Sequence, residues 1–126
     1  MRKIQLLIIL LLTIIFLSSC ISKGGTMVIS DDVNPAGPGY EFSFSDWTGE
    51  STREMSLSKG ESLLVETNIE NGTSSLSIIG DNGFEAYEGN KLSSGRFTVT
   101  VSEEDIYKIT VTGKRTTGII LVTKTP

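Results

Sequence analysis

From Tyr40 to the C-terminus, apolar and polar residues alternate in short runs, and no window of eleven residues carries a helical period. Tyr40, Phe42 and Phe44 alternate with Glu41, Ser43 and Ser45. Met55 and Leu57 alternate with Glu54 and Ser56. Leu63 and Val65 share one side of the next run. Leu76 and Ile78 follow among serines, then Phe97, Val99 and Val101 among threonines, then Tyr107, Ile109 and Val111. Successive side chains of a strand point to opposite faces, so this period places one face on a core and the other in water. Gly118–Thr123 is apolar without interruption, which predicts a strand covered on both faces.

Breakers separate the runs: Ser58–Glu61, Asn71-Gly72, Asn82-Gly83, Ser94-Gly95 and Gly113–Gly118. Asn-Gly suits a tight hairpin, whose two central residues need positive φ, so Asn71-Gly72 and Asn82-Gly83 are read as hairpin turns. Glu103–Asp105 is read as a single helical turn. The expected fold is all-β: an antiparallel β-sandwich, jelly-roll-like, of seven to eight strands over residues 40–126. The string Phe42/Phe44, Leu57/Gly60, Leu63/Val65, Gly72/Leu76/Ile78, Asp81/Gly83, Gly95/Phe97/Val99 and Tyr107/Ile109/Val111/Gly113 resembles small β-sandwich domains of secreted bacterial proteins. That resemblance implies a carbohydrate- or protein-binding module more than an activity.

The first nineteen residues are of another kind. Arg2 and Lys3 precede Leu6–Leu17, a dozen residues of Leu, Ile and Phe broken only by Thr13. Spanning a bilayer takes about twenty apolar residues, so the run has the length of a signal-peptide core, expected as a helix. Leu17-Ser18-Ser19-Cys20 resembles the bacterial lipobox. The resemblance implies cleavage between Ser19 and Cys20 and a thioether-linked lipid on Cys20, the only cysteine of the chain. Two or three acyl chains (palmitate-type) on one residue hold a protein stably to a membrane, where one chain is marginal. The expected location is the cell membrane or outer membrane, facing away from the cytoplasm. Residues 20–39, with Gly24-Gly25 and Pro35–Gly39, read as a flexible tether in which Thr26–Ile29 is short enough to add to a sheet edge.

Composition narrows the chemistry. With no histidine and one cysteine, imidazole acid–base catalysis, Ser-His-Asp triads, thiol-ligated zinc and intrachain disulfides are excluded. Setting aside Arg2 and Lys3 leaves nine of the 11 basic residues against all 15 acidic ones, a net charge of −6 that disfavours nucleic acid. The acids stand singly on strands or in turns. Asp81-Asn82-Gly83, even with Glu85 or Glu88, falls short of the six to eight oxygens that calcium takes. Neither a metal, a cofactor nor an enzymatic activity is expected.

Aromatics remain. Tyr40, Trp47, Phe84 and Tyr87 are candidates for a stacking platform, with Trp47 and Tyr87 the hardest to place in a core. Trp47 falls out of step with Tyr40, Phe42 and Phe44. A regular strand turns it outward, whereas a bulge at Ser45-Asp46 turns it back under the sandwich, and the second reading is preferred because a small domain rarely exposes its largest apolar side chain. The functional expectation is a membrane-anchored, non-catalytic module that binds an envelope protein or, alternatively, a glycan.

Overall fold

The computed structural model describes residues 24–31 and 38–125, so the residues on which the expected leader helix, the expected Ser19–Cys20 cleavage and the expected lipid on Cys20 fall lie outside the described residues. The described residues form one antiparallel sheet of six strands: β1 (Thr26–Asp31), β2 (Gly39–Leu57), β3 (Ser62–Gly80), β4 (Glu85–Gly89), β5 (Gly95–Thr100) and β6 (Asp105–Lys124). The strand order is β1-β2-β6-β3-β4, with β5 also paired to β3. No helix occurs among the described residues; the chain bends at Ser102 and Glu103, and Asp105 already belongs to β6.

The expected count of strands was too high because six of the alternating runs join in pairs. Strands β2, β3 and β6 each run through nineteen or twenty residues and bend once. Before its bend β2 pairs with β1 and with the end of β6, as in Phe42↔Ile120; after it, β2 pairs with the start of β6, as in Arg53↔Ile109. Strand β3 likewise pairs with β5 and the end of β6 first, then with β4 and the start of β6. The sheet thus folds over on itself into two layers, a sandwich-like all-β fold in which three strands serve both layers.

The bend has a local cause. Asp46 (φ 47), Gly72 (φ 78) and Arg115 (φ 50) are left-handed, one in each bent strand, and the ladder shifts register on either side of Trp47 and of Asn71. An extra residue flips the side-chain parity of a strand. The buried positions change accordingly, from Phe42 and Phe44 to Leu57, from Leu63 and Val65 to Leu76 and Ile78, and from Tyr107, Ile109 and Val111 to Ile120 and Val122. These side chains, with Val99 and Val101, form one core between the layers.

Backbone groups freed at the bulges find threonine hydroxyls. The Asp46 N–H donates to Thr117 Oγ1 (3.0 Å) and the Arg115 N–H to Thr48 Oγ1 (2.9 Å). Thr116, fully buried, donates from Oγ1 to the Thr73 carbonyl (2.5 Å) and accepts from the Lys114 N–H (3.1 Å). Gly113–Gly118 is therefore a bend inside β6 and not a turn, and Asn71-Gly72 bends β3 instead of closing a hairpin. Asn82-Gly83 does turn the chain from β3 to β4, with the Gly83 N–H donating to the Gly80 carbonyl (2.8 Å).

Within the expected tether, residues 26–31 add to the sheet edge: β1 pairs with β2 over its whole length, from Thr26↔Ser45 to Asp31↔Tyr40. The apolar run at the end of β6 is covered on both faces only at its far end: Thr123 is buried, whereas Ile119 is 42% exposed and Leu121 half-buried.

Candidate functional site

The platform aromatics are dispersed. Trp47 follows the bulge at Asp46 and turns inward, where its ring stacks on Phe44 at 5.2 Å and 14°. The indole lies over the facing glycines Gly49 and Gly113, which leave room for it: a Cβ on Gly113 would stand 2.6 Å from Trp47 Cε3, and one on Gly49 3.0 Å from Cζ2. The ring is half-buried. Tyr87, on β4, stacks on Phe97 of β5 at 4.7 Å and so links the edges of the two layers. Tyr40 tilts against Phe42, and Phe84 meets Tyr107 edge-on. Each candidate ring thus pairs with a different ring, and no ring contact joins Trp47 to Tyr87.

The structure brings together a different set of residues. On the outer face of the layer built by β5, β3 and β6, a groove of about 410 Å³ is lined by Glu66 and Asn68 of β3, Arg96 of β5, and Ile119 and Leu121 of β6. Register explains the grouping: Glu66 faces Leu121 on one side and Arg96 on the other, and Asn68 faces Ile119. Val28 of β1, 62% exposed, continues the face across Ser43 to Ile119. The signal in the sequence was the apolar run Gly118–Thr123, within which Ile119 and Leu121 remain partly open to solvent.

The acids are placed by structure. Asp105 accepts from the Asn82 N–H (2.9 Å) and the Ile106 N–H (2.8 Å), which clamps the β3–β4 turn to the start of β6. Glu61 accepts from the Ser58 N–H (2.6 Å) and pairs with Lys124 (2.8 Å). The Lys124 ammonium and then the Ser58 N–H hold its carboxyl below the usual carboxylate value. Glu85 is pushed up by the neighbouring Glu88 carboxylate. Burial, with Asp105 and Glu103 nearby, pushes the Tyr107 phenol up while its O–H donates to the Glu103 carbonyl (2.7 Å). Among the described residues no three His, Cys, Asp or Glu side chains converge as metal ligands.

Charge is unevenly distributed along the sandwich. At the open end, where the layers are joined by the β2–β3 turn and the β5–β6 connection, stand Glu61, Asp81, Glu85, Glu103, Glu104 and Asp105 against Lys59 and Lys124. At the bent end Lys114, Arg115 and Lys91 balance Asp46, Glu50 and Glu70, with an ion pair between Arg115 and Asp46 (3.4 Å). Compared with protein-family models and with the curated proteins, the chain matches none.

Proposed function

We propose that this chain is a bacterial lipoprotein, anchored through lipid on Cys20, whose β-sandwich is a non-catalytic module for binding another protein of the cell envelope. The anchoring rests on the charged start, the short apolar core and the Leu17–Cys20 pattern. The binding role rests on one observation: the exposed Ile119 and the half-buried Leu121 lie in a groove flanked by Glu66 and Arg96, an apolar floor with charges of both signs at its rim. Such a mixture suits a protein surface, whose interfaces combine an apolar centre with a polar rim. A glycan would call for open aromatic faces, and Trp47 and Tyr87 each have one face against another ring.

Two experiments test the reading. A fatty-acid analogue fed to cells should label the wild type and leave Cys20→Ser unlabelled and released from membranes; label-free wild type together with membrane-bound Cys20→Ser would refute the anchor. A photo-crosslinker at position 119 should yield a discrete adduct in cells that Leu121→Glu abolishes. Binding of the domain to a glycan array, lost on Trp47→Ala and kept in Leu121→Glu, would replace the protein partner with a sugar.

A further inference from the structure

We propose that the bent end of the sandwich is this protein's membrane-facing surface, and that the acidic open end is held away from the bilayer. The inference rests on the proposed lipidation of Cys20 and deepens it from an anchor to an orientation.

The chain enters the domain at the bend. The Thr48 N–H donates to the Gly24 carbonyl (3.1 Å), and β1 starts at once with Thr26 opposite Ser45. Gly25 (φ 83) sits so close to the Asp46 backbone that no Cβ fits. Only residues 21–23 separate Cys20 from Gly24. At 3.3–3.6 Å per residue, these four steps reach about 14 Å at most. The second half of β2, Gly49–Leu57, carries the sheet from the bend to the open end, a span of roughly 26 Å at 3.3 Å per residue. A lipid on Cys20 therefore restrains the bend far more tightly than the open end.

Charge selects which way the domain stands within that restraint. The open end has acids in clear excess, whereas the bent end is balanced and presents the exposed Lys114 and Arg115, with Lys23 in the connecting residues. Anionic headgroups attract basic segments and repel acidic ones within about a Debye length. Tether length and charge thus favour the same arrangement, in which the groove at Ile119 and Leu121 opens sideways, parallel to the bilayer plane.

Depth measurement tests the arrangement. Lipidation consumes the only native thiol, so Lys114→Cys and Glu103→Cys each supply one labelling site on an exposed residue. The full lipidated chain, labelled with a fluorophore, is reconstituted in phosphatidylglycerol–phosphatidylethanolamine vesicles containing a headgroup quencher. Quenching at position 114 should exceed that at 103 by at least about fivefold, and a Gly/Ser insert of about 20 residues after Ile21, reaching roughly 25 Å, should erase the contrast. Equal quenching, or stronger quenching at 103, in a chain whose mass includes the lipid would overturn the orientation and leave the anchor standing. A chain whose mass lacks the lipid would overturn both.

Discussion

Removing the Trp47 indole tests how the bend is built. An aromatic side chain contributes about 150–250 Å² of buried surface, and a half-buried ring lies near the lower figure. At about 25 cal/mol per Å² that is worth roughly 3–4 kcal/mol, an upper value because unfolded chains already bury some surface. The stack on Phe44 adds about 0.5–1.5 kcal/mol. Trp47→Ala should then cost about 3–4 kcal/mol of a total of roughly 5–10 kcal/mol. Gly113→Ala supplies the sharper half of the test. In the wild type its Cβ would stand 2.6 Å from the indole, so the stacked ring must move, at the roughly 1–3 kcal/mol of an overpacked site. With Trp47→Ala in place the clash with the ring is gone and only the Thr116 hydroxyl, 3.0 Å away, still crowds the methyl, while Gly→Ala in a strand by itself favours folding by about 0.5–1 kcal/mol. The cost of Gly113→Ala should therefore be smaller by about 1 kcal/mol or more in the Trp47→Ala background. Urea unfolding of residues 24–126, followed by circular dichroism because the only tryptophan is removed, gives all four stabilities of the cycle. Additivity within about 0.5 kcal/mol would show that the ring does not rest on Gly113, and the account of the bend would fail.

Other perturbations bear on separate parts of the structure. Ile109→Asp places a charge without a partner in the fully buried core, several kcal/mol against a stability of similar size, and should abolish the strand spectrum, whereas the exposed Thr98→Ala should change stability by under about 0.5 kcal/mol. Gly72→Ala should destabilise by more than about 2 kcal/mol in denaturant melts, because a left-handed conformation (φ 78) is combined with contact on the Arg115 backbone; Gly60→Ala (φ 89), with open space around it, should cost only about 1 kcal/mol. Glu61 is more acidic in the fold than the usual 4.5, so its contribution is complete above that pH and disappears as pH falls through the lower folded value. Thermal midpoints of wild type and Glu61→Gln should accordingly differ at pH 7 and converge in acid; a difference that persists at pH 2 would mean that the Lys124 pairing is not its source.

The core was legible in the sequence because parity is a local property. Phe42/Phe44, Leu63/Val65, Leu76/Ile78 and Tyr107/Ile109/Val111 all point inward as their alternation requires. Even the inward turn of Trp47 could be read, since a bulge at Ser45-Asp46 was the one way to bring it under the layers. Continuity of the strands could not be read. Gly72 and the Gly113–Gly118 segment carry the residues of a turn, and whether such residues reverse a strand or only bend it depends on a third strand alongside. Here the neighbours supply threonine hydroxyls at one another's bulges: Thr116 and Thr117 of β6 bond β3 and β2, and Thr48 of β2 bonds β6. Strand β4 escaped notice because Glu85–Gly89 is a short edge segment without an alternating apolar face. The groove was half visible: the run Gly118–Thr123 announced two apolar faces, and only the tertiary structure shows that one is left partly open at Ile119 and Leu121.

The position of β6 also governs how this chain comes to be folded. Strands β2 and β3 are neighbours in sequence but do not pair; each leans on β6 from opposite sides, and the contact Gly39↔Thr123 joins residues 84 apart. Until Asp105–Lys124 has been synthesised, the ladders available among the described residues are the β1–β2, β3–β4 and β3–β5 pairs, and isolated two-stranded units are marginal in water. Strand β6 acts as the keystone, so the nascent chain stays uncommitted until it has emerged and then closes through distant contacts, a topology that makes folding slow. A chain stopped at Glu104 should behave as an unfolded polymer, whereas the loss of β1 should leave the two-layer core able to form.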